Sequence, residues 1–112
     1  MPCTQGEVWW GPAPHKLDPA YRPWLLISDD SHPFADVECI AVGMTTQNHS
    51  DGIAVSDEAW IRGGSQKDAY ISPWYVATIK QRDLDNQQGE LADSLVADAI
   101  DAVHGYTPLP DR

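Results

Sequence analysis

The pattern of apolar and polar positions divides the chain into a strand-rich body and one helical segment. "WLLIS" (24–28) is continuously apolar over strand length and is closed by the turn-prone "DDSHPF", which predicts a buried strand. "VECIAVGM" (37–44) has the same character and ends at Gly43, while "EVWW" (7–10) and "IAVS" (53–56) read as shorter strands. "AYIS" (69–72) and "YVATI" (75–79) predict two further strands, with Pro73 forcing a break or an edge between them. The stretch "GPAPHKLDPAYRP" carries four prolines and can only be a loop. "TTQNHSDG" is polar loop, and a Gly-Gly pair interrupts "DEAWIRGGSQKD".

After that the period changes. In "ELADSLVADAIDAVHGY", Leu91, Leu95, Val96, Ala99, Ile100 and Val103 recur at helical spacing and define one apolar face. Asp93, Asp98 and Asp101 lie largely on the other face, and Gly105 suits the position just past the helix end. Several short strands followed by one C-terminal helix predict a mainly β fold, a small, strongly bent barrel or sandwich. A chain of 112 residues has room for a single domain. That domain is expected to span 1–112, with short flexible termini at about 1–5 and 106–112.

No apolar run approaches the roughly 20 residues that cross a bilayer, and "MPCTQGEVWW" lacks the charged-then-apolar order of a secretory signal. The expectation is a cytoplasmic protein with no membrane partner. Cys3 and Cys39 lie far apart, match no metal spacing and are expected to be free thiols, Cys39 in the core and Cys3 at a mobile terminus. His15, His32, His49 and His104 show no ligand spacing either. No cofactor and no metal are expected.

Charge changes the picture most. Seventeen Asp and Glu against seven Lys and Arg give a net charge of −10, which by itself argues against binding a polyanion. The Asp excess is spread along the whole chain, a pattern that resembles proteins of salt-loving microbes. At molar salt the Debye length is about 3 Å, so local groups rather than net charge would decide what such a protein binds. The alternative is an ordinary acidic interaction domain.

Taken in order, "GEVWW", "YRPWLLIS", "VGMTTQ", "DAYISPWYVATIKQRDL" and "GELADSLVADAIDAV" resemble the segments of the MazF/PemK family of toxins. The resemblance runs from Gly6 to about Val103. It implies an SH3-like β-barrel with a C-terminal helix, usually a homodimer. It also implies the ribonuclease half of a toxin–antitoxin pair, with single-stranded RNA and a cognate antitoxin as partners. Such enzymes cleave RNA without a metal, leaving a 2′,3′-cyclic phosphate and a 5′-OH. The family's catalytic arginine precedes a proline at the start of the second main strand, which here is Arg22, and its catalytic threonine opens the loop after the third, which here is Thr45. The resemblance further implies that Arg22 protonates the leaving 5′-oxygen. The family's loop before the arginine commonly carries a Gly-Ser-Glu-Gln type sequence. Here it reads "HKLDPAY", with Asp18 the nearest carboxylate and His15 a candidate acid or base.

The chemistry suits those residue types. A guanidinium stays cationic and offers forked N–H donors to phosphoryl oxygens, and a threonine hydroxyl adds one more hydrogen bond. The competing reading is structural: Arg22 closes its loop by pairing with Asp18 or Asp29, and one of Thr45 and Thr46 satisfies a turn, Thr46 being the choice. Thr46 and Gln47 are also candidates for substrate contact. Trp10 is a candidate stacking platform for an unpaired base, with Trp9 and Trp24 assigned to the core. Lys80 and Arg82 either form a positive patch or offset Asp83 and Asp85. A non-catalytic nucleic-acid- or protein-binding module on the same barrel is the main alternative. A gyrase-poisoning toxin is disfavoured because "YTPLPDR" has nothing like the Trp-Gly-Ile type terminus such proteins use, and an aromatic-lined peptide adaptor stays open.

Overall fold

The computed structural model describes residues 3–13 and 20–111. In chain order its elements are β1 (Glu7–Pro12), β2 (Tyr21–Leu26), β3 (Glu38–Thr45), β4 (Ile53–Val55), β5 (Trp60–Gly63), β6 (Ala69–Lys80), β7 (Asp85–Leu91) and α1 (Asp93–Tyr106). The strands form one antiparallel sheet in the order β4-β6-β3-β2-β1-β7-β5. Its two edge strands, β4 and β5, are consecutive in the chain and joined by Ser56 and a 3₁₀ turn at Asp57–Ala59. So short a link brings the edges together, and the sheet curls into a nearly closed barrel. The mainly β fold with a C-terminal helix is the one the sequence predicts.

The central strands are buried on both faces, which is why their sequences run apolar without alternation. Leu25 of β2 and Val42 and Met44 of β3 join Val8, Ile71 and Leu91 in one core, against which α1 lays Val96 and Ala99. The alternate residues, Trp24 and Leu26 of β2 and Cys39 and Ala41 of β3, build a second core with Ile79, flanked by Trp9, Tyr75 and Leu84. The helix face is the predicted one, with Leu95, Ile100 and Val103 packed beside Val96 and Ala99. Asp93 sits in its first turn, where a negative charge favours the positive helix end.

Three expectations are corrected. Pro73 does not divide its segment: β6 is one twelve-residue strand. Gly43 pairs Ser72 while the next residue, Val42, pairs Val76, so Pro73, Trp74 and Tyr75 bulge out of the ladder and the missing proline N–H is not needed there. Leu91 belongs to β7 rather than the helix, although it packs in the same core. Gly105 lies inside α1, whose end is Thr107, its N–H bonded to the His104 carbonyl.

Both cysteines are free, and Cys39 is in the core as expected. Cys3 packs against that same core and donates its backbone N–H to Gln81 Oε1 at 3.3 Å, rather than hanging at a loose terminus. Burial pushes the Cys39 thiol from its ordinary 9.0 up to about 12, and Cys3 is raised too, again mainly by burial. Native protein at pH 8 is therefore expected to leave Cys39 unalkylated by iodoacetamide, with full labelling after unfolding in guanidinium. Rapid native labelling of Cys39 by mass spectrometry would contradict the packing. The folded state holds the proton more tightly than the unfolded one, so this thiol's contribution to stability is complete below about pH 9 and declines as pH rises toward 12.

Candidate functional site

β2 places Arg22 beside the end of the sheet. The register of β1 and β2 pairs Trp10 with Pro23 and Gly11 with Arg22, and the register of β2 and β3 pairs Trp24 with Gly43. Continued two residues further, that register sets Arg22 across from Thr45 at the end of β3. Alternate residues of a strand share a face. Arg22 and Thr45 are therefore on the face of Trp24 and Gly43, while Trp10, Pro23 and Met44 are on the other.

The Arg22 guanidinium lies over the ring of Tyr75, its Cζ 4.9 Å from the ring centroid. Among the described residues it makes no ion pair, and its buried Nε has no hydrogen-bond partner. The loop-closing pair with Asp29 is absent. The Asp29 carboxylate instead accepts from the hydroxyl and N–H of Ser31, which hold it below the usual carboxylate range. Asp18 and His15 lie outside the described residues. At Thr45 the assignment of the turn is reversed: its Oγ1, not that of Thr46, accepts the Gln47 N–H at 3.1 Å. An accepting hydroxyl oxygen leaves its own proton free to donate.

Beside Thr45 lies a depression of about 390 Å³ lined by Trp10, Thr46, Ser65, Lys67 and Gln88. A narrower cleft of about 90 Å³ shares most of those residues and adds Pro23, Met44 and Thr45. Trp10 is 38% exposed and so offers a ring to this space, whereas Trp24 is fully buried. Trp9 is partly buried and donates its indole N–H to Glu7 at 3.0 Å. Gln88 gives its Nε2 hydrogen to the Gly64 carbonyl, leaving a buried Oε1 with no partner among the described residues.

The cations sort themselves. Arg62 bridges Glu7 and Glu90 at 3.3 Å each. Lys80 is bound to Glu38 at 2.7 Å, rather than to Asp83 or Asp85, and this bond holds the Glu38 carboxyl below its usual range. Arg22, Lys67 and Arg82 have no carboxylate partner among the described residues. Of the two candidates for a positive patch, only Arg82, on the 3₁₀ turn Gln81–Asp83, has no ion pair among the described residues. Neither Lys80 nor Arg82 lines the Trp10 depression, and Gln47, exposed, does not line it either. Lys67, Gln88 and Tyr75 were missed because no local pattern marks them; only the β5–β6 connection, β7 and the β6 bulge bring them here. Among the described residues no three His, Cys, Asp or Glu side chains are grouped to hold a metal, and no helix is long and apolar enough to cross a membrane.

A nearly closed antiparallel barrel with one C-terminal helix, and near the start of its second strand an arginine with no ion pair among the described residues, is the class of structure these observations define. Solved structures of similar fold include MazF proteins and endoribonucleases. The Mycobacterium tuberculosis toxin MazF-mt6 superposes with a TM-score of 0.72 at 18% identity, over 94% of this chain and 99% of that one. MazE–MazF from Deinococcus radiodurans superposes with a TM-score of 0.77 at 11% identity, over 98% and 100%. An endoribonuclease in complex with its cognate antitoxin from a mycobacterial species gives 0.67 at 18%, over 96% and 97%. No protein-family model and no curated protein matches the chain in sequence. The chain has the fold of the MazF toxins.

Proposed function

We propose that the protein is an endoribonuclease toxin that cuts single-stranded RNA without a metal and is neutralised by an antitoxin. The observation that carries this reading is the state of Arg22: a cation at a strand end, free of carboxylates among the described residues, on the same sheet face as Thr45. A structural arginine in so acidic a chain would be expected to look like Arg62, paired with two glutamates. The fold likeness to endoribonucleases, one of them bound to its antitoxin, supports the same reading.

In this mechanism the RNA 2′-hydroxyl loses its proton to solvent water and its oxygen attacks the adjacent phosphorus. The bond from phosphorus to the 5′-oxygen breaks, with solvent returning to Arg22 the proton it gives the leaving oxygen. The products are a 2′,3′-cyclic phosphate and a 5′-OH end. Arg22 binds the phosphoryl oxygens as their charge grows, and the Thr45 hydroxyl donates a further hydrogen bond. Arg22 is also the group proposed to protonate the leaving oxygen. The Trp10 depression takes an unstacked base against the indole ring, with Thr46 and Lys67 at its wall. The working form is a homodimer.

The test is incubation of a long mixed-sequence RNA with antitoxin-free protein in EDTA, at low and at molar KCl, followed by mapping of the new ends. Discrete cuts bearing 5′-OH ends are expected. Folded protein that makes no cut in either salt would overturn the nuclease and leave a binding module on the same barrel.

A further inference from the structure

We infer that Tyr75 is the positioning residue of Arg22, an aromatic seat that fixes the guanidinium plane without taking up its N–H donors. Its place in catalysis rests on the nuclease reading; the seat itself does not.

Several independent features converge on that ring. The β6 bulge displaces Pro73, Trp74 and Tyr75 from the ladder opposite the Val42–Gly43 step, and this turns Tyr75 onto the face that carries Arg22. Gly43 makes room for it: a Cβ there would lie 2.8 Å from Tyr75 Cδ2, a distance real side chains do not tolerate. Trp24 meets the ring edge-on, with centroids 5.0 Å apart and planes at 65°, a favoured aromatic geometry. Arg22 then lies on the ring at 4.9 Å.

The electrostatic logic separates this seat from an ordinary anchor. A carboxylate would hold the guanidinium equally well, but it would occupy the forked donors and cancel the charge that a phosphate needs. A ring face attracts the cation through its quadrupole and takes up no N–H. The buried Nε, without an acceptor among the described residues, agrees with a side chain held by stacking. The cost of ordering a long arginine is thereby met before substrate arrives, which is the condition for preorganised stabilisation of a transition state.

The experiment compares wild type, Tyr75→Phe and Tyr75→Leu, with Gly43→Ala as an independent way to push the ring off its seat. One readout is kcat and KM on a short RNA containing a mapped cleavage site. The other is the NMR shift of the Arg22 δ-methylene protons, which a ring beneath them moves upfield. Tyr75→Phe keeps the upfield shift and a kcat within about twofold of wild type, since phenylalanine presents a similar face. Tyr75→Leu loses the shift and lowers kcat by about 3- to 30-fold with KM little changed, the range a cation–π contact spans. Gly43→Ala follows Tyr75→Leu. Wild-type protein with no upfield shift at Arg22, or folded Tyr75→Leu with undiminished kcat, overturns the proposal. Should wild type cut no RNA, the nuclease reading falls, and the NMR comparison alone decides the seat.

Discussion

Replacing Arg22 with alanine is expected to slow RNA cleavage by about 10²–10³-fold, the usual effect of removing one preorganised donor from a developing negative charge. The loss should appear at every mapped site and in single-turnover rates, because the arginine acts on the phosphate and not on the base. Arg22→Lys should not restore the rate, since an ammonium lacks the planar fork that holds two phosphoryl oxygens and stacks differently on a ring. The fold should survive both changes. Arg22 has no ion pair to lose among the described residues, so its removal forfeits roughly the 1 kcal/mol of one cation–π contact. Circular dichroism and urea midpoints check that point. A folded Arg22→Ala protein that cuts at the wild-type rate would remove Arg22 from the chemistry and leave it as a stacked surface residue.

The largest effect on stability is expected at Gly63, where β5 meets β7. Its φ of +69° is in the left-handed region, and a Cβ there would collide with the Gln88 carbonyl oxygen and the Gly89 Cα, both backbone. Backbone strain and overlap add, so Gly63→Ala should cost on the order of 3–5 kcal/mol. That is a large share of the 5–15 kcal/mol typical of a domain. Gly105 is the internal control. It lies within α1 with nothing within 4 Å of an added Cβ, so Gly105→Ala should stabilise by about 0.5–1 kcal/mol through helix propensity alone. Urea denaturation of the two variants should shift the midpoint in opposite directions. Equal shifts would mean that the β5–β7 crossing relaxes more easily than its geometry implies.

Legibility from the sequence followed burial. β2 and β3 announce themselves because both their faces are apolar, and α1 because its stripe repeats at helical spacing. β7 does not: "DNQQGEL" is polar and glycine-containing, and it becomes a strand only by pairing between β1 and β5. β5, with "WIRG", has no alternation to read and is likewise defined by its partner. Pro73 points to a break because local rules cannot foresee a bulge that absorbs it. At the site, the candidacy of Arg22 and Thr45 came from resemblance, whereas Tyr75, Lys67 and Gln88 are distant in sequence and arrive only through the β6 bulge, the β5–β6 connection and the pairing of β1 with β7. The hydroxyl that satisfies the turn after β3 belongs to Thr45 rather than Thr46, a difference that local propensity does not resolve.

The two-sided burial of β2 also governs how the molecule can come apart. Trp24, Leu25 and Leu26 are fully buried and feed both cores, and Arg22 extends the same strand. Excursions that fray an edge strand or the end of α1 leave this segment clamped, because freeing it means dissolving both cores at once. The arginine lies two residues beyond that clamped segment, so its point of attachment to the barrel holds until the cores dissolve. Fraying at the edges of the sheet therefore leaves the anchor of Arg22 in place.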